Sequence, residues 1–121
     1  MQNFCAALLV VVFVLGNAEA GAQYSIKEFI DGHEYGSQEL KNIMETDLVQ
    51  MGNAFNAANA ELMLRGGSML YCVPTEKSLV GANYMSAIKQ YVKNYPLFLS
   101  KRISNPSTLL LAAMKKAFPC N

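Results

Sequence analysis

Residues 37–67 read SQELKNIMETDLVQMGNAFNAANAELMLRGG, and the spacing of their apolar side chains decides the fold. Leu40, Ile43, Met44, Leu48, Met51, Phe55, Ala58 and Leu62 recur at three- and four-residue steps. That is the repeat of a helix with a single apolar stripe. Lys41, Glu45, Asn53, Asn56 and Glu61 fall largely off it. Ser37 stands where an N-cap belongs, its hydroxyl able to accept an orphan amide of the first turn. Gly66-Gly67 ends the pattern, with Arg65 where a cation suits the helix dipole. Gly52 within the run costs about 1 kcal/mol relative to Ala and is tolerated where helices approach closely.

The flanking sequence is also helical in pattern. Upstream, Ser25 and Glu28 have the spacing of a capping box, which predicts a short helix over about Ile26–Asp31. Gly32 and Gly36 then bracket a turn that holds His33, the one histidine of the chain. Downstream, Ser68–Ser78 is a connector; its apolar half, Met69–Val73, lacks a strand partner and reads as a buried loop. Helical spacing resumes over Leu79–Asn94 through Tyr84, Ile88, Tyr91, Val92 and Tyr95, and Pro96 closes it. Leu97–Ile103 fits neither period. Asn105-Pro106 supplies a cap and a first-turn proline for a last helix through Ala117, which Pro119 stops. The expected fold is all-α, a small bundle of about four helices.

The amino terminus reads differently. Met1–Leu15 is an almost unbroken apolar run, Gly16-Asn17 breaks it, and Ala18-Glu19-Ala20 has the small-residue pattern of a cleavage site. This predicts a secretory signal peptide, too short to span a bilayer, cut after Ala20 or after Ala22. The mature part, 23–121, is then one domain. Export removes Cys5 and leaves Cys72 and Cys120, and two cysteines in an oxidising compartment read as one disulfide. A core of this size benefits from such a staple.

Charge and chemistry narrow the function. The formal net charge is +1, and +2 without Glu19, which gives no sign of nucleic-acid binding or of a membrane contact after cleavage. His33 lacks partners at the spacing that metal or acid–base chemistry needs, so it reads as a solvated turn histidine. Cys72 as a nucleophile loses to pairing with Cys120. Met44, Met51, Met63, Met69, Met85 and Met114 read as core filler. Lys115-Lys116 reads as a solvated helix end. Neither a catalytic residue, a metal nor a cofactor is implied, and a domain of this kind acts by binding.

Several short elements, in order, resemble one family. Tyr71-Cys72-Val73-Pro74, a helix finishing Tyr91-Val92-x-x-x-Pro96, and a last helix closing Ala117-Phe118-Pro119-Cys120 resemble the Rap/Tai family of immunity proteins, as does the upstream segment around Met51-Gly52-x-Ala54. The likeness covers roughly Leu48–Cys120. It implies a periplasmic helical protein that protects bacteria from type VI secretion effectors by occluding a peptidoglycan amidase. A homodimer is also among its implications. The chain departs from many relatives in keeping only two mature cysteines. The runner-up reading is a periplasmic helical chaperone or stress-protection protein.

For the surface that meets a toxin, the connector Thr75–Gly81 is the expected contact, chiefly Glu76, Lys77, Ser78 and Leu79. Loops on a rigid scaffold commonly carry recognition, and this one leaves Cys72-Val73-Pro74. The competing reading makes Thr75 or Ser78 a helix cap and Leu79 a core residue. A second candidate surface is Leu97–Asn105, where Lys101-Arg102 would meet an acidic partner.

Overall fold

The first two helices among the described residues start at serine caps present in the sequence. The computed structural model describes residues 23–121; the segment predicted from sequence as a signal peptide, with Cys5, lies outside the described residues. A two-residue strand β1 (Tyr24–Ser25) leads into α1 (Ile26–Tyr35), α2 (Gln38–Leu64) and, after a long connector, α3 (Gly81–Asn94). A 3₁₀ turn (Pro96–Ser100), β2 (Arg102–Ile103) and α4 (Ser107–Ala117) follow. The described residues are thus an all-α bundle of four helices. Its one β feature is the antiparallel pairing of β1 with β2, Tyr24 opposite Ile103.

The capping box at α1 is complete: Ser25 Oγ accepts from Glu28 N at 3.0 Å, and Glu28 Oε2 accepts from Ser25 N at 2.9 Å. Ser37 Oγ accepts from Leu40 N at 3.1 Å to open α2. Asn105 Oδ1 accepts from Ser107 N at 2.8 Å at the head of α4. The C-terminus of α2 unwinds through Gly66, whose φ of +73° is the left-handed conformation that glycine adopts without strain.

Two local expectations are corrected. Helix α1 does not stop at Asp31 but runs to Tyr35, so His33 lies on a helix and not in a solvated turn. Its ring is pinned across the turn, with Nε2 3.1 Å from Glu45 Oε1 on α2. Gly36 is the true stop. A Cβ there would lie 2.8 Å from Leu40 Cδ2 and closer still to the Gly32 carbonyl that accepts the Gly36 amide. Leu97–Ile103, without a clear period, holds the 3₁₀ turn and the β2 edge.

The core is centred on α3 and α4. Tyr84, Met85, Ile88 and Val92 on α3 and Leu109, Leu110, Ala113 and Met114 on α4 are buried. Of the α2 stripe only Leu48 is fully buried; Met44, Met51, Phe55 and Leu62 are half-buried, and Leu40, Ile43 and Ala58 are exposed. Length explains this. At about 1.5 Å per residue α2 is roughly 40 Å long, against about 20 Å for α3, so its ends overhang the helices that cover it. Met85 and Met114 fill the core as expected, whereas Met63 near the overhanging carboxyl end of α2 is exposed.

Helix α3 packs Tyr84 directly against Gly52 of α2. A Cβ there would sit 2.7 Å from Tyr84 Cε1 and nearer still to Cζ and Oη, so the phenol ring lies flush on the α2 backbone. Gly81 plays the same part at the head of α3, where a Cβ would meet the Glu45 carbonyl at 2.8 Å.

Candidate functional site

The connector is built on a rigid base. Asn59, a buried polar residue of α2, donates through Nδ2 to Tyr71 O at 3.1 Å. Its Oδ1 accepts from Leu70 N at 2.7 Å. One amide side chain therefore satisfies two backbone groups of an irregular segment that lacks a sheet or helix ladder. Tyr71 inserts its ring into the core, where it is 1% exposed, and its hydroxyl donates to Asn56 Oδ1 at 3.1 Å. The next residue is locked twice: Cys72 N donates to Phe118 O at 2.8 Å, and Cys72 is bonded to Cys120 with a Cα–Cα distance of 5.0 Å. The expected disulfide is present.

Beyond this anchor the chain emerges. Pro74, Thr75, Glu76, Lys77 and Ser78 are all exposed, and the Lys77 amide closes a turn onto Pro74 O at 3.0 Å. Glu76 projects from the turn. Lys77 Nζ lies 5.4 Å from the centroid of the Phe118 ring, a cation–π contact that ties the turn to the end of α4. Leu79 is half-buried and packs on the core, as the competing reading had it. Neither Thr75 nor Ser78 caps α3. Asn83 does so from inside the helix, its Oδ1 accepting from Val80 N at 2.8 Å, while Thr75 Oγ1 donates to Glu76 Oε2 at 3.5 Å.

The connector forms one wall of a cleft of about 400 Å³. Thr75, Lys77 and Ser78 face Asn53 and Asn56 of α2 across it, and Tyr84 is at its margin. Burial, with a smaller contribution from neighbouring Tyr84, pushes the Tyr71 phenol up to about 12. Burial also raises Tyr84, against a hydrogen bond with Asn56 that works the other way. Both phenols are neutral near pH 7 and act as hydrogen-bonding groups. The cleft is thus polar, with amides, hydroxyls and the one ammonium of Lys77, and suits the backbone and polar side chains of another protein.

The Tyr71 environment has a measurable consequence. A phenol held neutral by the fold contributes stability that is intact below its ordinary value near 10 and is lost as pH rises through about 12. Alkaline denaturation followed by helical circular dichroism should show a decline in stability over this window, and Tyr71→Phe should flatten it. Identical pH profiles for the two proteins would contradict this assignment.

Asn59 and Asn56 were missed as site-forming residues. Asn59 stands four residues after Phe55 and three before Leu62, in register with the buried stripe, and an amide at such a position is a signal of a backbone partner. The second candidate surface, Leu97–Asn105, is elsewhere committed in part. Arg102 Nη2 donates to Gln23 O at 2.5 Å, and Lys101 Nζ lies 5.1 Å from the Phe98 ring centroid. Among the described residues no three His, Cys, Asp or Glu side chains gather as a metal site, and no helix is long and apolar enough to cross a membrane. No family model, curated protein or solved structure matches this chain.

Proposed function

We propose that this chain is a periplasmic immunity protein that binds a cognate type VI secretion effector, a peptidoglycan amidase, and blocks its active site without turnover of its own. The observation that carries the reading is the Pro74–Ser78 turn. It is exposed along its length, yet fixed at its root by the Cys72–Cys120 bond, by Asn59 and by Lys77 on Phe118. A segment ordered before binding loses little conformational entropy on entering a cleft, and this is how loop-based inhibitors reach high affinity. The resemblance of the Tyr71–Pro74 and Ala117–Cys120 elements to the Rap/Tai family supplies the class of partner.

The contact residues are Glu76, Lys77 and Ser78, with Leu79 as the apolar support behind them. Replacing the first three together by Ala should weaken binding to the cognate effector by more than about 2 kcal/mol, the scale of a hot spot. Calorimetric titration measures this, with thermal melting to check that the variant is folded. Unchanged affinity in a folded triple variant would remove the turn from the interface. The alternative of a periplasmic chaperone predicts a different result: suppression of client aggregation at acid pH, with no protection against an effector toxin.

A further inference from the structure

A second surface lies at the other end of α2. Its apolar stripe continues amino-terminal of the part that α3 covers, and there Leu40 and Ile43 remain 40% and 52% exposed. With Phe29 and Tyr24 they form a groove of about 350 Å³ between α1 and α2, room for one or two aliphatic side chains. The carboxylates of Glu28 and Asp47 stand in its wall. Glu28 is engaged in the Ser25 cap, whereas Asp47 makes no ion pair among the described residues.

The charged residues that line this groove are two carboxylates, Glu28 and Asp47, with no lysine or arginine among them. Residues 24–50 carry six acidic side chains against two lysines, while residues 77–121 carry seven lysines and arginines and no acid. An acidic rim repels anionic lipid headgroups and phosphate backbones and attracts cations, and it steers partners of the opposite sign. An apolar trough inside such a rim fits one mode of recognition well, an amphipathic helix laid along a groove.

We infer that the Leu40–Ile43 groove with Asp47 at its rim is a docking site for an amphipathic protein segment that pairs an aliphatic side chain with a lysine or arginine. The groove and the connector use different stretches of α2, with Met44 and Asn56 twelve residues or roughly 18 Å apart along its axis. The two surfaces therefore stand or fall separately. The aliphatic side chain enters between Phe29 and Ile43, and its neighbouring cation meets the Asp47 carboxylate.

The probes are two 16-residue amphipathic helical peptides, one of leucine and lysine and one of leucine and glutamate. With methyl-labelled protein, the leucine–lysine peptide should shift the Ile43 and Met44 signals, and the leucine–glutamate peptide should leave them in place. Asp47→Lys should weaken the first peptide at least tenfold and admit the second, and Asp47→Asn should give a smaller loss in the same direction. Both changes fall at an exposed position, and melting curves establish that the variants are folded. Raised salt should weaken the wild-type interaction. Shifts centred on Leu64 or Leu97, equal affinity for the two peptides, or indifference to both Asp47 variants would overturn the inference. So would a concentration-dependent dimer that Ile43→Ser dissociates, because a second copy would then fill the groove.

Discussion

Replacing Cys120 with serine is expected to lower the stability of the folded domain by about 4 kcal/mol, the chain-entropy value for releasing a loop of this length. The bond joins positions 48 residues apart and ties the connector to the end of the chain just past Pro119. Cutting it also frees the segment whose Phe118 carbonyl accepts the Cys72 amide and whose ring holds Lys77. A domain of about 100 residues loses roughly 4–8 °C in Tm per kcal/mol, so the melting point should fall by about 15–30 °C. Treating the wild-type protein with reductant should reproduce the change. Equal melting of the wild type and Cys120→Ser would show that the bond does not support the fold. The turn at Glu76–Ser78 should become susceptible to protease in the variant before the helices do, because it loses its root while the α3–α4 core remains.

The second large effect is a reversal of sign at Gly52. Helix propensity alone predicts that Ala in the middle of α2 stabilises by about 1 kcal/mol. Packing predicts the opposite, because the added methyl would overlap the Tyr84 ring, which is 2% exposed and confined by the core. Forcing that ring aside costs about 1–3 kcal/mol. Gly52→Ala should therefore destabilise. In a Tyr84→Ala background, where the ring is gone, the same change should stabilise. A double-mutant cycle by chemical denaturation reads both. Stabilisation of the otherwise unchanged protein by Gly52→Ala would mean that the helices do not approach as described.

The features legible in the sequence are those fixed by neighbouring residues. Ser25 with Glu28, Ser37, Gly66 and Pro96 each act within one or two turns of their own position, and the helix boundaries they mark are observed to within a few residues. The cysteine pair was legible by count, since the expected loss of Cys5 with a signal peptide leaves a single pairing. Gly52 was legible as a close approach, though its partner Tyr84 was not.

Other features depend on residues far apart in the chain. The β1–β2 pairing brings Tyr24 to Ile103, and no local pattern announces a ladder of two residues. His33 looked like part of a turn because glycines flank it, but its partner Glu45 belongs to the next helix. The exposure of Leu40 and Ile43 was hidden for a related reason. Periodicity shows which face of a helix is apolar, but not how far along that face its neighbours reach. At the connector, the exposed charges could be read from composition, whereas the support from Asn59, Asn56 and Phe118 comes from three different places in the chain.

The central claim is that the protein neutralises a periplasmic toxin by binding it. The most direct test titrates the purified protein into a candidate cognate amidase effector while following the cleavage of purified peptidoglycan. Cleavage should fall linearly and stop at a fixed stoichiometric ratio of the two proteins, and Cys120→Ser at a temperature where it is unfolded should not inhibit. Full peptidoglycan cleavage in the presence of excess folded protein would contradict the account.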